Sequence, residues 1–293
     1  MKLAINGQQL ARTHVLSRIL DVLDRLEVTA IELWPWNIPG KGKGKEDEQR
    51  YEKRDVEGAA DLLRQRGITC ACVTLGFRAA PFCFASGGAR NYTAALMGAV
   101  DAATTLGAAV VNTYSVGIPL SLWAAAARPA AEYARAKGVV ITLENEAHDE
   151  SGLPEQVAAA VESVDSVGLG TEYDPCNYYH AGIEPFPHAY TTIRRHIRYV
   201  HLKGGCEYHP GRPGIRKGYP MRDTNRDFIS YVPLPDAAFN VEAMIRALHR
   251  DGYAGWLTLE PHVSGANLFK YYRREVPYVQ KLLAGLPHPR RNC

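Results

Sequence analysis

The sequence lacks the features that mark secreted, membrane-spanning or disulfide-stabilised proteins. No apolar run approaches the ~20 residues that a membrane-spanning helix needs, and residues 1–7 do not contain the apolar segment of a signal peptide. None of the six cysteines has a partner at CxxC spacing, so we expect reduced thiols at Cys70, Cys72, Cys83, Cys176, Cys206 and Cys293. These absences predict a soluble, cytoplasmic protein.

The sequence also lacks an excess of charge and a linker between two halves. Its 34 basic and 31 acidic side chains leave a formal net charge of +3, which is too balanced for a protein that binds nucleic acid or an anionic membrane. Hydrophobic residues make up 46% of the chain, which is enough for an ordinary globular core. One α/β barrel typically needs about 250 residues, so we expect a single domain over residues 1–293.

Short apolar strands alternate with amphipathic helices along the chain. Residues 2–6 have the pattern of a strand, residues 14–26 carry leucines and an isoleucine at helical spacing, and residues 29–33 form the next strand. Repetition of this unit is typical of a parallel sheet in an α/β protein. The sequence therefore predicts a (β/α)8 TIM barrel, with a loop at 81–88 ahead of a helix at 91–106.

Four predicted strands end on, or contain, a residue that can bind a metal ion. The run at 139–143 ends on Glu144, and similar runs lead to Asp174, His201 and Glu260. The C-terminal ends of barrel strands open on one rim, so these side chains should converge. Three carboxylates and one imidazole suit an octahedral divalent ion rather than structural zinc. We predict one bound divalent ion, with Mn²⁺ favoured over Mg²⁺ or Co²⁺.

The spacing of these residues tests the barrel. Glu144 and Asp174 are 30 residues apart (174 − 144), and Asp174 and His201 are 27 apart (201 − 174), each the length of one strand and helix. His201 and Glu260 are 59 apart (260 − 201), which is about one unit too long. An additional segment must therefore lie between the last two ligands.

Two segments without a clear apolar period are candidates for active-site lids. The first, residues 204–236, accounts for the additional length, and a long loop inside a compact domain is commonly functional. The second, residues 40–45, alternates glycine with lysine. It could cover the site or bind an anion, or it could be an ordinary solvated loop.

A set of motifs in the second half of the chain resembles one known family. In order, these are Ile141-Thr-Leu-Glu144-Asn145, Asp174-Pro-Cys-Asn177, Tyr199-Val-His201-Leu-Lys203 and Asp251-Gly-Tyr-Ala-Gly-Trp-Leu-Thr-Leu-Glu260-Pro-His262. Together they resemble the xylose isomerase-like TIM barrel superfamily, specifically its sugar phosphate isomerase/epimerase branch. The resemblance covers the whole chain in layout and residues 139–262 in motif.

The resemblance implies an activity. In such enzymes the residues matching Glu144, Asp174, His201 and Glu260 bind one divalent metal ion, and those matching Glu144 and Glu260 are also the catalytic acid and base on opposite faces of the substrate. A metal that chelates a carbonyl and its neighbouring hydroxyl lowers the cost of an enediolate. The resemblance thus implies a metal-dependent isomerase or epimerase of a keto sugar or related polyol, assembled as a homo-oligomer, either a dimer or a tetramer.

Further residues are candidates for contacts with the substrate. Lys203 lies two residues beyond His201, so its side chain points to the same face and could contact a substrate oxygen, with a surface cation as the alternative. Glu32 ends the second strand, where it could contact the substrate or orient a metal ligand. Trp34 could form an apolar wall under a sugar ring or serve only in packing. The remaining candidates are Asn177 and His148, which follow ligand strands, and Arg216, which lies in the long segment. The alternative for these three residues is an ordinary hydrogen bond or a surface charge.

Three positions depart from the pattern of the branch. Asn177 stands where many epimerases have histidine, Gly204 where aspartate is common, and Glu207 where arginine is often found. An arginine from the long segment could replace the last of these: Arg212, Arg216 or Arg222. The departures leave the metal ligands in place and leave the reaction type open.

Other functions are open on the same fold. A lyase or dehydratase could use the same residues to abstract a proton next to the ketone of a keto sugar or oxidised glycoside and expel a β-leaving group. An endonuclease IV-like repair enzyme needs three metals and early histidines, yet no histidine occurs between His14 and His148, and the balanced charge argues against binding a phosphate backbone. A binding protein without catalysis is indicated if no metal binds.

Overall fold

The structure, a computed structural model, describes residues 1–38, 50–209, 215–217 and 228–287, with only the backbone at 215–217 and 228. Eight parallel strands form a barrel: β1 (Lys2–Asn6), β2 (Ala30–Leu33), β3 (Thr69–Thr74), β4 (Val110–Thr113), β5 (Val140–Glu144), β6 (Leu169–Tyr173), β7 (Ile197–Leu202) and β11 (Trp256–Leu259). Their order is β1-β11-β7-β6-β5-β4-β3-β2, and β1 closes the barrel by pairing with both β2 and β11. The predicted (β/α)8 barrel is confirmed.

The described helices pack around the barrel: α1 (Leu16–Arg25), α2 (Lys53–Gln65), α3 (Ala79–Leu106), α4 (Leu120–Ala136), α5 (Pro154–Val164), α6 (Pro175–His180), α7 (Tyr190–Ile193), α8 (Val241–Arg250) and α9 (Ala266–Ala284). α1 shows why they do so, because its apolar side chains Leu16, Ile19, Leu20 and Leu23 recur at helical spacing and are buried. None of the helices in the described part of the chain is long and apolar enough to cross a membrane.

Alternation along each strand separates an apolar outer face from a polar interior near the C-terminal rim. In β5, Ile141 and Leu143 join the core between strands and helices, whereas Thr142 donates to Asn112 Oδ1 on β4 and Glu144 accepts from the same residue's amide. Successive side chains of a strand point to opposite faces. The residues that end each strand therefore meet inside the barrel rim.

The prediction of a loop at 81–88 is wrong, because α3 already begins at Ala79. Pro81 lies in the first turn, where a missing N–H costs little, and Cys83 is buried. The helical geometry is interrupted only at Gly87 and Gly88, and Gly88 has φ +69°. Two adjacent glycines give the sequence a loop signal, but here they kink a helix that continues on both sides.

The described residues of the segment at 204–236 do not form an irregular loop. Its described part forms an antiparallel sheet of β8 (Gly204–Glu207), β10 (Phe228–Val232) and β9 (Ile215–Lys217), in the order β8-β10-β9. Gly204 pairs with Val232, and a Cβ atom at Gly204 would lie 2.3 Å from the Val232 carbonyl oxygen. The glycine at this position is therefore required by the inserted sheet. The segment at 40–45, for which a lid, an anion site and a solvated loop were the alternatives, lies outside the described residues.

Candidate metal centre

The barrel rim brings together the four residues that the sequence predicts as metal ligands. Glu144 ends β5, Asp174 follows β6, His201 lies in β7, and Glu260 follows β11. One ligand atom from each lies within 4.8 Å of the others, and all four side chains are buried. Three carboxylates and one imidazole at this separation offer the donors that Mn²⁺ or Mg²⁺ prefers.

The orientation of His201 fits a metal ligand. Its Nε2 lies 2.6 Å from Glu32 Oε2, a carboxylate oxygen that accepts, so Nε2 carries the proton. This leaves Nδ1 facing Glu144 Oε1 at 3.4 Å and Glu260 Oε2 at 3.5 Å, where it makes no hydrogen bond with any described group. A buried nitrogen between two carboxylates, with its ring fixed by a third, is the usual arrangement of a metal-binding histidine.

The negative charge around His201 also favours a bound cation. Burial lowers the pKa of His201, but Glu32, Glu172, Glu144 and Glu260 together outweigh it and raise the pKa well above its usual value. A proton on Nδ1 and a metal ion on Nδ1 are alternatives. Nδ1 can therefore hold either a proton or a metal ion, and each would place positive charge next to the surrounding carboxylates.

Glu32 holds the ring of His201 from below the ligand cluster. Its carboxylate is fully buried and accepts five hydrogen bonds, from Asn6 Nδ2 (3.0 Å), Trp34 Nε1 (3.1 Å), Thr74 Oγ1 (2.7 Å), Tyr199 OH (3.0 Å) and His201 Nε2. Of the two roles considered for Glu32, this geometry matches the ligand-orienting one. Asn6, whose amide also donates to Glu260 Oε1 at 3.1 Å, has no place in the sequence motifs.

Lys203 reaches the same cluster. Its buried Nζ lies 2.8 Å from Asp174 Oδ2, 2.9 Å from Glu260 Oε2 and 3.4 Å from His262 Nε2. Burial lowers the pKa of Lys203, but Asp174 and Glu260 outweigh it and raise the pKa well above its usual value. The lysine is not a surface cation, and it compensates part of the negative charge of the ligands.

The two candidate catalytic carboxylates have different environments. Burial raises the pKa of Glu144, and the nearby His201 offsets only part of the effect. Burial also acts to raise the pKa of Glu260, but Lys203, His201 and His262 outweigh it, so this pKa lies well below its usual value. The pair is therefore electrostatically unequal before any ligand binds.

Amides fix the ligand carboxylates. Asn112 Nδ2 donates to Glu144 Oε2 at 2.7 Å, and Asn177 Nδ2 lies 3.4 Å from Glu144 Oε1. The Asn177 N–H donates to Asp174 Oδ1 at 2.9 Å, which caps α6. Asn145 bridges the two strands, because it accepts from the Asp174 N–H and donates to the Asp174 carbonyl, both at 2.9 Å.

Sequence reasoning missed Glu172, a further buried carboxyl group of the cluster. It accepts a hydrogen bond from the His201 N–H, and its Oε1 lies 3.9 Å from His201 Nδ1. Burial raises the pKa of Glu172 well above its usual value. The signal was present, since a residue two positions before Asp174 in a strand shares its face.

A cavity of about 560 Å³ opens above the cluster, which is an ordinary size for a small-molecule site. Glu144, Glu260 and two of the predicted substrate contacts, Lys203 and Trp34, line it. The other candidates with described side chains are buried or nearly buried and are not part of the lining: Glu32, Asn177 and His148. The side chain of Arg216 lies outside the described residues, and the substrate contacts of all six stay predictions.

Aromatic side chains stand on two sides of this cavity. Trp34 and Phe77, which follow β2 and β3, both approach Tyr114 beyond β4, with ring centroids 6.0 and 6.4 Å away. Tyr231 of β10 faces His262, which follows β11, at 5.0 Å. In the strand order, β2 to β4 lie roughly opposite β7 and β11. The cavity is thus a slot between two aromatic walls.

Comparisons with known proteins agree with this architecture. The sequence model of the family described as xylose isomerase-like TIM barrel matches residues 20–282. No curated protein shows significant similarity to the chain.

Solved structures with the same fold have low sequence identity. A xylose isomerase-like TIM barrel protein from Mycobacterium smegmatis in complex with magnesium has a TM-score of 0.73 and 16% identity over 96% of both chains. A D-tagatose 3-epimerase-like protein has a TM-score of 0.69 and 15% identity over 97% of both chains. The probable 3-DHS dehydratase of petrobactin synthesis from Bacillus anthracis has a TM-score of 0.67 and 15% identity over 96% of this chain and 99% of its own.

Proposed function

This chain belongs to the xylose isomerase-like TIM barrel family, and we propose that it is a divalent-metal-dependent isomerase or epimerase of a keto sugar or related polyol. One observation carries the proposal. Glu144 and Glu260 belong to the buried cluster and also line the cavity above it. The same two carboxylates can therefore reach both an ion and a substrate.

The positions of these carboxylates suit proton transfer. Glu144 ends β5 and Glu260 follows β11, and β6 and β7 lie between these strands in the barrel. The two groups thus approach a bound substrate from different sides. One removes a proton from the carbon next to the carbonyl, and the other returns a proton to the neighbouring carbon or to the opposite face.

The remaining groups hold the reactants. A Mn²⁺, Mg²⁺ or Co²⁺ ion bound by Glu144, Asp174, His201 and Glu260 would act as the Lewis acid that polarises the carbonyl and hydroxyl oxygens of the substrate. Lys203 is within hydrogen-bond distance of Glu260 and keeps that carboxylate ionised. The aromatic walls would offer apolar surface to the carbon skeleton of the substrate.

A lyase is the second candidate function, and one contact favours it. Lys203 Nζ and His262 Nε2 lie 3.4 Å apart, and both neighbour Glu260. Elimination needs a base for the proton next to the ketone and an acid that protonates the departing oxygen as the C–O bond breaks. A carboxylate with two nitrogen groups beside it could supply both.

Proton exchange tests the proposal. The metal-loaded protein is incubated in D₂O with keto sugars, cyclitol ketones and 3-keto-glycosides, and deuterium uptake is followed by NMR. We expect uptake at a carbon next to the carbonyl, lost in Glu144→Gln and Glu260→Gln. The product then separates an epimerase from a lyase, since only the lyase releases a leaving group.

An exposed carboxylate provides the matched control. Glu57 lies on the solvent side of α2, so Glu57→Gln makes the same chemical change away from the barrel rim and should exchange at the wild-type rate. Exchange that survives in both active-site variants would overturn the assignment of the acid and base. Metal binding without exchange of any compound would favour a non-catalytic binding protein.

A further inference from the structure

The cavity has an acidic floor and a basic mouth. The floor carries Glu144 and Glu260, both buried, and Glu146 lies beside them in the lining. Arg12 also lines the cavity, but its side chain is exposed, so it lies at the solvent edge, which we call the mouth. An anionic group on a substrate would be attracted by the positive charge of the mouth.

The two cations among the described lining residues are not equivalent. Lys203 is neutralised by the carboxylates of Asp174 and Glu260. The Arg12 guanidinium group makes no hydrogen bond or ion pair with any described residue, although the Arg12 backbone N–H donates to the Gln9 carbonyl at 3.3 Å. Within the part of the chain that the structure describes, Arg12 is therefore the uncompensated positive charge of the cavity.

The backbone holds Arg12 in this place. Arg12 ends a short 3₁₀ helix whose other residues, Leu10 and Ala11, are buried. The Ala11 N–H donates to the Gly7 carbonyl at 3.0 Å, and the Thr13 N–H donates to the Leu10 carbonyl at 3.2 Å. A free guanidinium group on an anchored turn is suited to binding a ligand group.

We propose that the substrate is a polyhydroxylated acid or keto acid. Its carboxylate pairs with Arg12 at the mouth while its carbonyl end lies on the floor. This inference rests on the proposed function, which places the carbonyl beside Glu144 and Glu260. The planar guanidinium matches a carboxylate with two parallel hydrogen bonds. One uncompensated cation, which is what the described lining residues offer, suits one negative charge better than the two of a phosphate.

A pair of cyclic probes tests the charge preference directly. Quinate carries a carboxylate on a polyhydroxylated ring, and methyl quinate is its neutral ester. Their dissociation constants are measured by calorimetry on the metal-loaded protein. We expect quinate to bind about tenfold more tightly, the gain of one charged hydrogen-bonded pair at a partly exposed site.

Variants of Arg12 assign the preference to this residue. Arg12→Gln should bind acid and ester equally, and Arg12→Lys should keep part of the difference. Arg54 is an exposed arginine of α2 away from the cavity, so Arg54→Gln should behave as wild type. Equal affinities in the wild type, no binding of either probe at millimolar concentration, or a preference that survives Arg12→Gln would overturn the proposal.

A phosphate arm and the exchange assay separate the remaining outcomes. If glucitol 6-phosphate gains more over glucitol than quinate gains over its ester, the mouth binds phosphate and the carboxylate proposal is wrong. A preference for the acid without deuterium exchange would support the carboxylate site at Arg12 and contradict the isomerase function. Deuterium exchange into neutral ketones without a preference for the acid would support the isomerase function and contradict the carboxylate site.

Discussion

Glu32 and His201 are 169 positions apart in the sequence, yet Glu32 Oε2 lies 2.6 Å from His201 Nε2 inside the barrel. The contact joins β2 to β7, which are not neighbours in the strand order. It determines which ring nitrogen of His201 faces the ligand cluster. The carboxylate that sets the direction of the His201 ring thus comes from a part of the chain that precedes all four predicted metal ligands.

Replacing Glu32 should weaken metal binding without removing a ligand. In Glu32→Gln the side-chain amide places its N–H groups against N–H and O–H groups that donated hydrogen bonds to the carboxylate. The His201 ring therefore loses its orientation. We expect metal affinity to fall about 10–100-fold, the usual effect of losing such a partner. Titration with Mn²⁺ measures it, with Glu57→Gln as the control. Unchanged affinity in a folded Glu32→Gln protein would contradict the orienting role.

Removing the metal should lower stability. Four buried carboxyl groups lie within 3.9 Å of a ring nitrogen of His201. An ion that binds only the folded state stabilises it by about 2.7 kcal/mol at 100 times its dissociation constant. Thermal unfolding with Mn²⁺ and with a chelator should therefore differ by several degrees.

Ligand variants make the thermal test specific. Asp174→Asn and His201→Ala should abolish the difference between metal and chelator. If these proteins gain as much from Mn²⁺ as the wild type does, the ion binds elsewhere.

The sequence predicted the eight barrel strands and the convergence of the four candidate ligands because both follow local rules. A buried strand ends where its apolar run ends, and parallel strands open on a common rim, so Glu144 and Glu260 could be placed together without coordinates. The face of Glu172 follows from strand alternation, but its hydrogen bond with the His201 N–H does not. Asn6 escaped because its importance lies in its contacts with Glu32 and Glu260, which are distant in the sequence. No local pattern records such contacts.

The inserted sheet escaped prediction for a related reason. β8 is rich in glycine, and a strand of this kind is defined by its partner rather than by its own apolar pattern. The glycines are explained by close approach of other elements, since a Cβ at Gly204 would meet Val232 of β10 and one at Gly205 would lie 2.6 Å from Cys176 Sγ of α6. The departure from aspartate at 204 therefore reflects packing of this insertion.

Alanine substitutions at two glycines should act in opposite directions. Gly204→Ala should destabilise the protein by about 1–3 kcal/mol, as overpacking commonly does. Gly58→Ala should stabilise it by about 0.5–1 kcal/mol, because Gly58 lies within α2 and a Cβ there meets nothing within 4 Å. Chemical denaturation measures both. A neutral Gly204→Ala would show that β10 can move away from β8.

The stability of the protein should depend on the protonation of Glu275. This residue of α9 is buried and accepts from the Leu234 N–H at 3.0 Å. Burial raises its pKa to about 8, although the Leu234 N–H and Arg274 act to lower it. The folded state therefore holds this proton more tightly than the unfolded state, whose carboxyl has the ordinary value of 4.5.

The sign of the pH dependence follows from that difference. The contribution of neutral Glu275 is complete below pH 4.5 and is lost as the pH rises through about 8, with a slope of up to ~1.4 kcal/mol per pH unit. Glu275→Gln keeps the acceptor for Leu234 and cannot ionise, so its stability should not share this decline. Denaturation curves between pH 4 and 9 compare the two proteins, and parallel curves would rule out the contribution.

The side chain of Asn145 acts as a further peptide group of the sheet. Regular pairing of β5 and β6 ends at Glu144 and Glu172, and the Asn145 amide then repeats the donor and acceptor pattern of a backbone against Asp174. Strand pairing therefore continues one step past the last residue of β5. The separation of Glu144 from Asp174 is set by this added step during folding, so an arriving ion does not have to draw the two strands together.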